Sequence, residues 1–160
     1  MTSINLKTLG AVIVCLVLTA CASPVEHHTM SGKVETTIPK VTIDDVAPRL
    51  INRMVDIGYV VKHTSAYQLV FEKPVENVMA AAMFGSRYDA QPVARLSYIL
   101  TRRNDGTRIV MDAQVVTNPG SAYERTTDLN HNAETMKFQA ILEELRHEFA
   151  AKTLATGSGE

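Results

Sequence analysis

Between Val93 and Thr117 two alternating runs of side chains flank Asn104-Asp105-Gly106, and no other stretch of the chain restricts the fold as tightly. Ala94, Leu96, Tyr98 and Leu100 share one parity in the first run, and Ile109, Met111, Ala113 and Val115 share one in the second. A period of two marks a strand with one apolar face. Asp-Gly between two such runs is a strong hairpin signal, because glycine enters positive φ without the clash that a Cβ brings. The pattern predicts strands over 93–102 and 108–117 joined by a turn at 103–107. One face of that hairpin is apolar, so other parts of the chain must cover it.

The rest of the sequence supplies the cover. Val46, Leu50, Ile51, Met54 and Ile57 recur at helical spacing and stop at Gly58. Pro48 is tolerable in a first turn, which sets the helix start near Asp45 as N-cap and leaves Thr42-Ile43 extended. Strands follow at 59–63 and 67–72, with Tyr59, Val61, Tyr67, Leu69 and Phe71 on one face and Thr64-Ser65-Ala66 as the loop. Lys73-Pro74 then opens a short helix over about 75–84, striped by Val75, Val78, Met79, Ala82 and Met83 and ended by Gly85. A last helix over about 132–152 carries Phe138, Ile141, Leu142, Leu145 and Phe149 along one side. The expected architecture is α+β: a two-layer sandwich in which an antiparallel sheet of about four strands, two hairpins, is covered by helices. Its other sheet face is polar, with Arg95, Ser97, Thr101, Arg108, Asp112 and Gln114 open to a partner.

At 160 residues the chain has room for one such domain. A net charge of −1 argues against a nucleic-acid partner. Part of the 46% hydrophobic content is concentrated in the first twenty residues. There Lys7 precedes an apolar run, Leu9 to Leu18, that is too short to span a bilayer and fits a secretory signal. Small residues then lead into Cys21. Leu18-Thr19-Ala20-Cys21 resembles the lipobox of bacterial lipoproteins. The resemblance covers residues 1–21 only. It implies that the leader, residues 1–20, is removed and that Cys21 becomes the first residue, with a diacylglycerol on its sulfur and, as a rule, an acylated amino group. Cys15 then leaves with the leader and no thiol remains for a disulfide or a nucleophile. Ala22 follows the cysteine where an aspartate does not, which in similar lipoproteins goes with the outer membrane, here its periplasmic face.

Residues 21–37 are rich in Ser, Thr, Pro and charge and read as the lipidated cysteine and a flexible tether. The domain is expected over 38–153 and a disordered tail over 154–160. His27, His28 and Met30 sit in the tether without the fixed geometry that a metal site needs, so no metal and no cofactor are expected.

Nothing in the sequence forms a recognisable catalytic motif. Gly120-Ser121-Ala122 is not a nucleophile elbow, and there is no HExxH, phosphate loop or dinucleotide fingerprint. Ser121, Asp128 and His131 have the residue types of a triad, but spacing does not supply its geometry or an oxyanion hole. The loop over 118–131 is long for a compact domain, and its Tyr123, Glu124 and Arg125 combine a ring with both charge signs. They are candidate partner-binding residues, together with Arg87 and Tyr88 in a second polar loop. The structural alternative is that these side chains pack and pair locally. The functional expectation is a non-enzymatic, lipid-anchored envelope lipoprotein that binds an envelope protein. The other reading is a carrier or sensor of helix-grip type, with an apolar ligand in a cavity lined by Phe71, Tyr98, Met111 and Phe149.

Overall fold

The computed structural model describes residues 24–75 and 91–157. The leader, Cys21, the helix expected from Val75 onward and the loop holding Arg87 and Tyr88 lie outside the described residues.

The long hairpin follows from its alternation. β4 (Val93–Arg103) and β5 (Gly106–Thr117) pair antiparallel, and Leu96, Tyr98 and Leu100 stand opposite Ala113, Met111 and Ile109. Arg103 already pairs with Gly106, so the turn is Asn104-Asp105 alone, tighter than the expected 103–107. Gly106 has φ 149°, and a Cβ there would collide with the Ile38 carbonyl and lie 2.8 Å from Pro39 Cα. Glycine is required because a neighbouring strand passes directly against it.

That neighbour is β1 (Glu35–Pro39), which the sequence reading assigned in part to the tether. Val34, Thr36 and Ile38 alternate inward and are all buried, so a run that looks polar by composition has the period of a strand. Its proline sits at the last strand position, where a missing N–H is tolerated. β1 pairs with residues 106–110 of β5, and β6 (Arg125–Asp128) pairs with residues 114–117 along the same edge. β2 (Val60–Thr64) and β3 (Gln68–Pro74) complete the sheet in the order β1-β5-β4-β3-β2. Among the described residues the sheet is therefore antiparallel with six strands, where about four were expected.

Among the described residues two α-helices lie on one face. α1 (Ile43–Asp56) has Thr42 as its N-cap, three residues before the expected Asp45. The Thr42 hydroxyl accepts from the Asp45 N–H at 3.3 Å, which satisfies one donor of the helix end, and donates to the Asp45 carboxylate at 2.6 Å, which holds the cap in place. Pro48 then falls in the second turn, where one helical hydrogen bond is given up. The buried face of Ile43, Val46, Leu50 and Met54 offsets that loss. After a 3-10 turn (Ala133–Thr135) capped by Asn132, α2 (Met136–Gly157) runs into the stretch expected to be a disordered tail. α2 buries Phe138, Leu142 and Leu145, and Arg49–Glu148 at 3.2 Å and Arg53–Glu148 at 3.7 Å join the two helices. Among the described residues no helix is long and apolar enough to cross a membrane.

The free edge of β1 is closed by α2. The Gln139 side chain donates to the Glu35 carbonyl and accepts from the Glu35 N–H, each at 3.0 Å, as a paired peptide would. Thr36 Oγ1 adds a bond to Glu143 at 3.2 Å. A glutamine amide thus ends the sheet where another chain would otherwise pair.

Residues 24–37 are held to the domain. The Val25 N–H donates to the His131 carbonyl at 2.9 Å, and Val25 O lies 3.1 Å from His131 Nδ1. His27 is buried, its Nε2 2.9 Å from Thr135 Oγ1 and 3.2 Å from the Asn130 carbonyl. The described part of the expected tether is therefore packed and hydrogen-bonded to the elements that precede α2.

Candidate functional site

The helix-facing side of the sheet is covered unevenly. At one end α1 and the middle of α2, through Leu142 and Leu145, pack in one core with Phe71, Tyr98, Leu100, Ile109 and Met111, none of them more than 1% exposed. At the other end β4 and β5 contribute Ala94, Leu96, Ala113 and Val115, whose smaller side chains leave an apolar groove of about 710 Å³ beneath the start of α2. Its roof is Phe138, Ala140 and Ile141, and its sides are Ile57 and Tyr59 after α1, Lys73 to Val75 at the end of β3, and Leu129, Asn132, Glu134 and Thr135 before α2. The volume lies within the range of about 300–1,000 Å³ usual for small-ligand sites, and the mostly apolar lining with a few polar groups is also usual.

Polar groups sit among this lining. Tyr59 meets Phe138 edge-on, with ring centroids 6.0 Å apart, and burial, helped by the charge of Glu134, pushes its phenol up to about 12. Tyr59 therefore stays neutral and offers an O–H to a guest. Lys137 bonds Glu134 at 2.7 Å and lies 5.1 Å from the Phe138 ring centroid, while Lys73 donates to the Ile57 carbonyl at 3.3 Å. The arrangement can desolvate an apolar body, with a polar margin of mixed sign made by Lys73, Lys137, Glu134 and Glu144. It differs from the cavity expected from sequence: Phe71, Tyr98 and Met111 are sealed in the core, where the Tyr98 hydroxyl donates to Met54 Sδ at 3.4 Å, and Phe149 is half-buried against that core. A space between the last helix and the sheet exists, further toward the start of α2.

The partner-binding candidates are distributed differently. Glu124 reaches back over the outer sheet face, where Arg95 bonds both Glu124 and Glu72 at 2.7 Å and Lys62 stands 3.7 Å from Glu72. The Gly120 N–H donates to the other Glu124 oxygen at 2.7 Å. The Arg95 guanidinium, followed by that N–H, holds the Glu124 carboxyl below its usual range. Glu124 thus fastens the 118–124 loop to the sheet. Tyr123 is 79% exposed and Arg125 is exposed on β6, so the three do not converge on one point. Arg87 and Tyr88 lie outside the described residues.

The triad candidates are separately engaged. Ser121 Oγ accepts from the Tyr123 N–H at 3.1 Å, Asp128 accepts from the Asn130 N–H at 2.6 Å, and His131 Nδ1 faces Val25. Of the histidine pair, His27 is buried against Thr135 while His28 is exposed. Among the described residues no cluster of three or more His, Cys, Asp or Glu side chains is arranged to hold a metal ion.

Two further constellations brace the N-terminal segment. Burial works against ionisation of Asp112, but the ion pair from Lys33 and the bond from Asn130 prevail and hold its carboxyl below the usual range. Asn130 Oδ1 accepts from the Ala113 N–H at 3.0 Å, which ties this network to the groove floor. On the outer face Arg108 grips Glu35 through two bonds, at 2.6 and 2.9 Å. That grip, opposed by burial and assisted by Ser31, lowers the Glu35 carboxyl to about 2. Comparison with protein-family models, curated proteins and solved structures found no match for this chain.

Proposed function

We propose that the chain is a lipid-anchored, non-enzymatic accessory module of the bacterial envelope that works by binding an apolar guest in the groove beneath α2. The anchor rests on the leader and on Leu18-Thr19-Ala20-Cys21, and the residue after the cysteine, Ala22, favours the periplasmic face of the outer membrane. The observation that carries the binding reading is the groove itself: about 710 Å³, floored by Ala94, Leu96, Ala113 and Val115 and roofed by Phe138 and Ile141. Water in such a space gives up hydrogen bonds, and an apolar occupant replaces it favourably. The separate engagement of Ser121, Asp128 and His131 weighs against the one triad that the sequence offered.

The test is a titration of the chain from residue 21 onward, carrying Cys21→Ser, with a fluorescent fatty acid. Saturable one-to-one binding that weakens in Ala94→Leu is expected. Absence of saturation, or equal binding by Ala94→Leu, contradicts the reading. For the anchor, Cys21→Ser in the host should abolish lipid labelling and release the domain from the membrane, and labelling that persists contradicts it.

A second reading, a protein partner at the 118–124 loop, is favoured by Tyr123 alone, an exposed ring on a loop whose path is fixed by the Glu124–Arg95 pair. Crosslinking in the native host with and without Tyr123→Ala tests it: an unchanged pattern removes the loop from consideration.

A further inference from the structure

We infer that the guest of the groove is the protein's own lipid, an acyl chain carried by Cys21. The inference rests on the lipid-anchor reading above and adds the occupant. Its basis is where the described chain begins. Pro24 lies in a depression with Asp128, Leu129, His131 and Asn132, and Leu129 and Asn132 also line the apolar groove. Val25 is bonded to His131 through its N–H and its carbonyl, and His27 is buried between Thr135 and Asn130. Thr135 is itself part of the groove wall. The path of the chain is thus fixed at one side of the groove.

Cys21 is three residues before Pro24, a distance of at most about 11 Å even when fully extended. A tether that began to be flexible at residue 37 would let the attachment point wander over tens of ångströms, whereas pinning at Val25 and His27 keeps it within about 11 Å of Pro24. A long acyl chain starting there meets a mostly apolar space, and the effective concentration of a ligand joined by so short a link is high. Lys73, at the groove's margin, suits the carbonyl of the acyl ester or amide, whereas Lys137 is paired with Glu134, which with Glu144 also lines the groove. The same geometry makes the anchor reversible in part: an acyl chain that moves from the bilayer to the groove leaves the protein held by its remaining chains, and a lipoprotein in transit between two membranes keeps that chain out of water.

The experiment is to grow the host on a fatty acid bearing a diazirine and an alkyne, purify the full lipidated protein, irradiate it, and map adducts by mass spectrometry. The inference expects intramolecular adducts on Leu96, Val115, Phe138 or Ile141, reduced several-fold in Ala140→Trp, a substitution at an exposed position that narrows the groove without entering the core. Acylated protein whose adducts fall only on detergent, on lipid or on residues away from the groove overturns it and leaves the anchor reading intact. Protein without the acyl mass, or Cys21→Ser protein that still incorporates the probe, overturns the anchor reading and this inference with it. In a parallel arm the free photoreactive fatty acid is added to the Cys21→Ser chain. Groove adducts in that arm, with none from the covalent acyl chain, assign the groove to external lipid and overturn self-docking alone.

Discussion

The two ends of one sheet face carry the same alternation and share one core that includes Leu96, Ala113 and Phe138, but they differ in how completely the helices fill the space above them. At the α1 end, Phe71 and Tyr98 meet edge-on at 5.8 Å, with Leu50, Met54 and Met111 around them, and the space is full. At the α2 end, Ala94 and Ala113 take the corresponding inward positions and the helix above them leaves a groove. Period alone decides which face is buried, whereas side-chain volume decides whether the burial is complete. The packed end is where stability resides, and the open end is where a guest can be accepted without rebuilding the core.

The largest effect belongs to the packed end. Phe71→Ala removes a fully buried ring and should cost about 3–5 kcal/mol, read by urea denaturation; a loss below about 1 kcal/mol would mean that this end is not close-packed. Next is Gly106→Ala, which combines positive φ with a clash against β1 backbone and should cost about 3 kcal/mol by the same measurement. A wild-type-like midpoint would remove β1 from its position beside β5.

Acid should loosen the N-terminal strand before the core. Glu35 is depressed from 4.5 to about 2, so its contribution is complete above about pH 4.5 and is lost as pH falls toward 2. The displacement converts to about 3 kcal/mol at most, and screening of the partly exposed Arg108 leaves about 2 kcal/mol. Glu35→Gln should be less stable than wild type at pH 7 and nearly equal to it at pH 2; a difference that does not shrink with acid contradicts the pairing. The smallest effect sharpens the comparison most. Enlarging a small side chain at the packed end, Ala47→Leu, should cost about 1–3 kcal/mol, whereas Ala94→Leu in the groove should stay within about 0.5 kcal/mol and weaken fatty-acid binding. Equal costs at both positions would mean that the groove is not an open space.

What could be read from sequence follows the range of the interactions. The hairpin, the two-layer arrangement and the stripes of α1 and α2 were legible because a period of 2 or 3.6 is written in neighbouring residues. β1 was hidden by its Ser, Thr and Pro content, although Val34, Thr36 and Ile38 carry a strand period that a closer count would find. β6 had no such signal, since all four of its residues are exposed and it is held by pairing with β5. The start of α1 was misplaced because Pro48 was given more weight than the Thr42 cap. The groove was out of reach: it arises where the pairs Ala94–Val115 and Leu96–Ala113 lie beneath the start of α2, and no local pattern encodes that placement. Glu124 was singled out for its charge, and its partner, Arg95, is 29 residues away.

The central claim, that the open end is a binding site, is tested most directly by methyl NMR. The chain from residue 21 onward, carrying Cys21→Ser and labelled at Ala, Leu, Ile and Val methyl groups, is titrated with a fatty acid. The account predicts saturable shifts at Ala94, Leu96, Ala113, Val115 and Ile141, with Leu50, Leu100 and Ile109 unmoved. Shifts spread over both ends, or none at the groove, would contradict it.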